Sequence, residues 1–197
     1  MPQSDRPRLI LASTSPYRRQ LLEKLGYGFE CVSPGIDEAQ RPDESPAALV
    51  IRLASEKSRA IAHRHADGLV IGCDQVAVLE GRVFGKPGSL AKARAQLEQA
   101  SGRTLDFLTA ICVTQAESSQ SCTEVDICRV SFRPLSNNQI DRYLEREKPL
   151  DCAGSFKSEG LGITLLEKIE GDDPNALVGL PLIRLVRMLA AFGLEIP

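Results

Sequence analysis

The sequence predicts an α/β fold: a mixed central β-sheet flanked by helices, built as one domain over residues 1–197. Two observations carry this. Apolar strand-like runs alternate with amphipathic helical stretches, the order that builds a helix-covered mixed sheet. No linker, internal repeat or low-complexity tract interrupts them, and 197 residues suffice for one ordinary domain with a substantial core.

Each element has a local reason. Residues 8–12 form a buried strand. Ser15 suits the N-cap of a helix over 16–25, Pro16 its first position and Gly26 its end. Phe29, Cys31 and Ser33 mark a short strand, and the acidic stretch 34–45 follows as a loop. Ser45-Pro46 opens a long helix in which Leu49, Val50, Leu53, Ala54, Ala60 and Ile61 recur with helical spacing. Leu69–Cys73 reads as a second buried strand ending at Asp74, and Gln75–Phe84 as a hairpin turning at Glu80-Gly81. Ser89 opens a third helix that ends at Gly102. Two longer β-segments, around 104–115 and 122–132, are joined by a polar turn. A fourth helix covers 136–147. The glycine-rich stretch from Gly154 to Gly162 then leads into a strand at 163–169, a loop and a last helix near 181–192.

Composition excludes several classes. A net charge of −2 supplies no basic field for nucleic acid or an anionic membrane. No apolar run approaches the roughly 18 residues that span a bilayer. Met1 to Pro7 lacks the apolar core of a signal peptide, so the cytoplasm is the expected location. Cys31, Cys73, Cys112, Cys128 and Cys152 lie in or beside apolar stretches, as small buried hydrophobes do. There is no Cys-x-x-Cys pair, and His63 and His65 are too closely spaced to face one way on a helix. A histidine-based metal site or triad is not expected.

The most informative stretch is Leu9-Ile-Leu-Ala-Ser13-Thr-Ser15-Pro-Tyr17-Arg18-Arg19. A helix N-terminus is already partly positive, so arginines in its first turn make sense opposite an anion. Backbone N–H groups, hydroxyls and guanidinium forks would converge there on phosphate. A bare Arg-Arg pair would mark no more than a solvated face; its place after a strand, hydroxyls and a proline points to binding. Asp74, at the mouth of an apolar strand, is placed to polarise water or hold a divalent cation, or simply to end a turn. Lys57 falls four residues after Leu53, at the border of a buried face from which lysines usually snorkel. Lys86, in Gly85-Lys86-Pro87, is a candidate phosphate contact, although the run from Gly81 is one residue short of a P-loop and Pro87 replaces its hydroxyl residue. Cys152-Ala-Gly154-Ser-Phe-Lys157-Ser-Glu159-Gly160 is either a substrate-lining loop or a tight turn. No serine sits in a nucleophile elbow. By elimination the chemistry is that of a metal with carboxylate, lysine and arginine, which suits phosphoanhydride or phosphate-ester transfer.

Taken together, Ser13–Arg19, Gly35–Glu38, Ala54–Lys57, Gly72–Gln75, Gly85–Pro87, Cys152–Gly160 and Asp173–Pro181 resemble the motifs of the Maf family of nucleoside-triphosphate pyrophosphatases, in order and over nearly the whole chain. The resemblance implies an elongated, ITPase-like fold with a cleft between two lobes. It implies hydrolysis between the α- and β-phosphates, releasing a nucleoside monophosphate and pyrophosphate. By position it makes Asp74 the proton acceptor that activates water, and Ser13, Arg18, Glu38, Lys57 and Lys86 the polar cleft residues. Glu38 and Asp74 are candidates to share Mg²⁺ or Mn²⁺, since hard cations prefer oxygen ligands. A homodimer is a further implication.

The resemblance also distinguishes branches. Members acting on dTTP and UTP carry arginine, threonine and glutamine where this chain has Tyr17, Gln75 and Glu159. The trio here is similar to the branch that hydrolyses 7-methyl-GTP and clears modified nucleotides, although Tyr17 stands where tryptophan is expected. N7 methylation makes guanine cationic, and a cation over an aromatic face gains roughly 0.5–2 kcal/mol. A carboxylate such as Glu159 can accept from the guanine N1–H and amino group. The alternatives are a dTTP/UTP pyrophosphatase and a non-catalytic nucleotide-binding regulator of septum formation.

Overall fold

Three long strands organise the sheet. In the computed structural model, which describes residues 7–197, β3 (Leu69–Leu79), β5 (Thr104–Gln115) and β6 (Ser121–Phe132) form a continuous antiparallel ladder. β1 (Leu9–Leu11) runs parallel to β3 over Leu69–Ile71 and carries β2 (Glu30–Cys31) on its outer edge. β4 (Arg82–Phe84) folds back on Ala77–Leu79, and β7 (Leu166–Glu170) pairs with β6. The sheet order is β2-β1-β3-β5-β6-β7 with β4 beside β3, a mixed sheet as the sequence predicts. Met1–Arg6, most of the N-terminal stretch discussed above, lies outside the described residues.

Four helices start at serine caps, three of them expected; the fourth, Ser136, reads in the sequence as the first residue of its helix and instead caps it. Ser15, Ser45, Ser89 and Ser136 accept backbone N–H groups at the heads of α1 (Pro16–Glu23), α2 (Pro46–Ala62), α3 (Leu90–Ala100) and α4 (Asn137–Glu147). The region read as a loop before the last helix contains a short helix, α5 (Pro174–Val178), ahead of α6 (Leu182–Ala191). One side chain accounts for it: Asp173 Oδ1 accepts from Asn175 N at 2.8 Å, and its Oδ2 accepts from Ile183 N at 2.6 Å. A single carboxylate thus serves the N-termini of both helices. The strand expected from residue 163 begins only at Leu166, because Leu161–Leu165 closes into a 3₁₀ turn.

Side chains alternate across a strand, so β3 and β5 present two different faces. On one, Leu69, Ile71, Ile111 and Val113 pack against α1 and α6. Farther along the same face, Ala77, Leu79, Leu105 and Phe107 pack against α3 and α4. Between these two cores stand Gln75, Thr109 and Asp126, paired in register across three strands. The opposite face packs Val76, Ala110 and Cys112 against Leu49, Val50, Leu53 and Ala54 of α2.

The strand read as ending at Asp74 instead continues to Leu79. Its neighbours are what stop: β1 covers Leu69–Ile71 and β4 covers Ala77–Leu79, leaving that edge of β3 between Gly72 and Val76 without a strand beside it. Asp74 and Gln75 stand in this gap on opposite faces, and both line the cleft that opens there. Cys73, Cys112 and Cys128 are buried as expected, Cys152 is half-buried, and Cys31 is exposed because it lies on the edge strand β2. No helix among the described residues is long and apolar enough to cross a membrane.

Candidate active site

The stretch of β3 left uncovered between β1 and β4 is the floor of a cleft of about 490 Å³. The strand beneath it is seated on α2 at Gly72. A Cβ there would lie 2.1 Å from the carbonyl oxygen of Ala54 and 2.6 Å from Ser58 N, so α2 rests directly on the strand backbone. That close seat brings Lys57 inward over Asp74 instead of outward to solvent. Lys57 Nζ donates to Asp74 Oδ1 at 2.7 Å and meets Glu38 Oε1 at 2.8 Å, and its side chain is only 5 % exposed. Two carboxylates from different segments therefore converge on one buried ammonium, which offsets the desolvation that each charge would suffer alone. Burial pushes the Glu38 carboxyl up, but Lys57, reinforced by Lys86 and Arg18, outweighs it and holds the group below the usual carboxylate range. Asp74 Oδ2 makes no protein hydrogen bond among the described residues.

At the head of α1 the two arginines part company. Arg18 lines the cleft, and its Nε donates to the carbonyl of Gly179 at 3.0 Å. Arg19 pairs with Glu23 at 3.1 Å on the exposed side and is not a cleft residue. Ser13 is buried, accepts from Ser15 N at 3.2 Å and lines the same wall. Lys86, exposed on the turn after β4, lines the opposite lip.

Tyr17, Gln75 and Glu159 also line the cleft. Gln75 spends its amide nitrogen on the protein, donating to Thr109 Oγ1 and Ala176 O at 2.8 Å each and to Leu177 O at 3.2 Å. Only its Oε1 is left for a ligand, so its main duty is to tie α5 to the strand floor. Burial, and then the neighbouring Cys152, Asp151 and Glu159, push the Tyr17 phenol up, so it stays neutral. The Cys152 thiol is pushed up to about 12, chiefly by burial, and is no nucleophile.

Two contributors escape the sequence reading, and a third, Lys157, appears there only within a stretch read as a substrate-lining loop or a tight turn. Gly72 is quoted in a motif but nothing in the sequence says what its missing side chain admits. The carbonyl of Gly179 takes both Arg18 and the thiol of Cys73, at 3.0 and 3.1 Å. Lys157 stands over the Tyr17 ring, 5.5 Å from its centroid, while pairing with Glu147 at 3.2 Å. The aromatic surface expected to face a cationic base thus already holds a cation.

In chemical terms, this cleft joins a carboxylate with a free oxygen, three cationic side chains and a partly buried aromatic ring beside an exposed carboxylate. The family description "Maf-like protein" matches residues 8–192. The 7-methyl-GTP pyrophosphatase of Aromatoleum aromaticum is 55% identical over 190 residues, covering 96% of this chain and 98% of that protein. The protein of the same name from Alcanivorax borkumensis is 53% identical over 191 residues, covering 97% of each. A solved nucleoside-triphosphatase / dITP/XTP pyrophosphatase from Mycobacterium abscessus superposes with a TM-score of 0.41 at 17% identity, over 65% of this chain and 75% of that one.

Proposed function

This chain belongs to the Maf-like protein family, and we propose that it is a nucleoside-triphosphate pyrophosphatase that hydrolyses 7-methyl-GTP to 7-methyl-GMP and pyrophosphate in the cytoplasm. The observation that carries the reading is the meeting of Asp74 and Glu38 on the buried Lys57, in a cleft shared with Tyr17 and Glu159. The two relatives that carry the name 7-methyl-GTP pyrophosphatase support it.

In this mechanism Lys57 holds Asp74 by Oδ1, and the free Oδ2 accepts a proton from the attacking water. The water oxygen bonds to phosphorus as the α–β anhydride bond breaks. A triphosphate presents about four negative charges, which Arg18, Lys86 and Ser13 bind and orient. As pyrophosphate departs, the same cations take up its growing charge. Tyr17 and Glu159 hold the positively charged purine, the ring by its face and the carboxylate by the donor edge.

The donor set suits a divalent cation. Glu38 and Asp74 offer hard oxygens that already share one positive group, and Mg²⁺ commonly takes one or two carboxylates together with substrate phosphates. Among the described residues there is no cluster of three such ligands, so the phosphates would complete the shell. A bound cation would supply charge neutralisation on the phosphate oxygens.

The deciding experiment incubates pure protein and Mg²⁺ with 7-methyl-GTP, GTP, dTTP and UTP and resolves the products. Fastest turnover of 7-methyl-GTP, with pyrophosphate released, is expected. Faster turnover of dTTP or UTP overturns the substrate; no turnover of any nucleotide overturns hydrolysis and favours a nucleotide sensor.

A further inference from the structure

Glu38 lies on a segment without helix or strand between Pro34 and Ser45. A carboxylate kept against Lys57 nevertheless needs a fixed backbone, and that backbone is gripped from α2. Arg52 Nη2 donates to the carbonyl of Ala39, the residue after Glu38, at 3.0 Å. Arg52 Nε and Nη2 also take the two Glu44 oxygens at 2.7 and 2.9 Å, and Nη1 reaches Glu56 one turn along the helix at 3.1 Å. Glu44 in turn accepts from Arg41 N at 3.0 Å, and Arg41 closes the circuit by pairing with Glu56 at 3.0 Å.

This is more than a surface ion pair, which contributes little. The Arg52 and Glu44 side chains are only 13 % and 9 % exposed, and the guanidinium meets the carboxylate as a two-pronged fork, a geometry lysine cannot reproduce. Arg52 and Lys57 also share one rigid helix. The element that carries the ammonium therefore carries the clamp for the carboxylate that meets it. Arg52 itself does not line the cleft.

We propose that Arg52 is a positioning residue for hydrolysis: through Ala39 and Glu44 it fixes the acidic loop so that Glu38 stays on Lys57 beside Asp74. The inference rests on the hydrolytic reading above. It predicts that breaking the clamp harms the reaction only by releasing Glu38.

The test uses Arg52→Met, which keeps the stem and removes every donor, and Arg52→Lys, which keeps the charge but not the fork. Backbone hydrogen exchange and the kinetics of 7-methyl-GTP hydrolysis are measured for each, in the otherwise unchanged protein and in a Glu38→Gln background. Exchange at the Ala39 and Arg41 amides should quicken roughly tenfold or more while the middle of α2 keeps its protection. Loss of such an outer contact should lower kcat about 10- to 100-fold, with KM changed less than about threefold. With Glu38→Gln already present, the same substitutions should cost less than about threefold more, because coupled residues are not additive. Unaltered exchange in the loop, or equal losses in both backgrounds, overturns the proposal. If Arg52→Met does not fold, Arg52→Lys decides by the same readouts. A protein that turns over no nucleotide refutes the hydrolytic reading, and the exchange data still decide whether Arg52 fixes the loop.

Discussion

Replacing Gly72 with alanine tests whether the seat of α2 on the strand is what makes the site. The added methyl would lie 2.1 Å from Ala54 O, 2.6 Å from Ser58 N and 3.0 Å from Ser58 Cβ, and two of these three are main-chain atoms of a helix that cannot swing aside. Reaching ordinary contact, near 3.4 Å, requires α2 to withdraw by about 1.3 Å along the closest line. Overpacking of this kind costs about 1–3 kcal/mol. At roughly 2–4 °C per kcal/mol for a chain of this size, Tm should fall by about 2–12 °C. The same withdrawal would stretch the Lys57–Asp74 contact from 2.7 Å to about 4 Å, past hydrogen-bond range. A misplacement near 1 Å at a reacting group costs about 100-fold in rate. The assay pairs a thermal melt with kcat for 7-methyl-GTP. Gly28→Ala is the control: nothing lies within 4 Å of its added Cβ, so it should stay within about 0.5 kcal/mol of the parent. A Gly72→Ala protein with the parent's Tm would refute the packing argument. A lowered Tm with full kcat would refute the link from helix seat to Lys57.

Asp74→Asn should cut kcat by a factor of at least about 100, the lower range for a general base, while nucleotide binding by calorimetry stays within a few-fold; near-normal turnover would remove Asp74 from the chemistry. Lys157→Met removes the charge over Tyr17 and keeps the stem, so the preference in kcat/KM for 7-methyl-GTP over GTP should rise about 2- to 30-fold, equivalent to 0.5–2 kcal/mol; an unchanged or smaller ratio would show that the lysine does not compete for the ring. Arg52 holds the Glu44 carboxyl down to about 2, against 4.5 ordinarily. Between those values the unfolded chain binds the extra proton, so the clamp's contribution is intact above pH 4.5 and lost as pH falls toward 2. Denaturant midpoints at pH 5 and pH 3 should differ less in Glu44→Gln than in the parent, and an identical acid loss in both would contradict the pairing.

Much of the fold was legible because its signals are local. Serine caps, the Pro16 and Pro46 helix starts and the helical spacing of Leu49, Val50, Leu53, Ala54 and Ile61 depend on neighbours a few residues away. The misreadings share the opposite character. Asp74 looked like a strand end because a charge after an apolar run usually is one, whereas the strand persists and a break between two distant partners, β1 and β4, exposes it. The helix α5 was hidden because its cap, Asp173, gains its second partner from Ile183.

By itself, the chain's order of residues determined the mixed α/β architecture, since caps and periodicities are written along the backbone, and its motifs carried the resemblance that implied the family and the roster of cleft side chains. Only tertiary structure decided that Lys57 turns inward, that Arg18 and not Arg19 faces the cleft, that Gln75 spends its amide on α5 and that Lys157 covers Tyr17. Those outcomes hinge on distances between segments far apart in sequence, such as the contact of Gly72 with Ala54 and of Arg18 with Gly179. A side chain's ionic partner is set by which groups are buried together, and burial is a property of the packed whole.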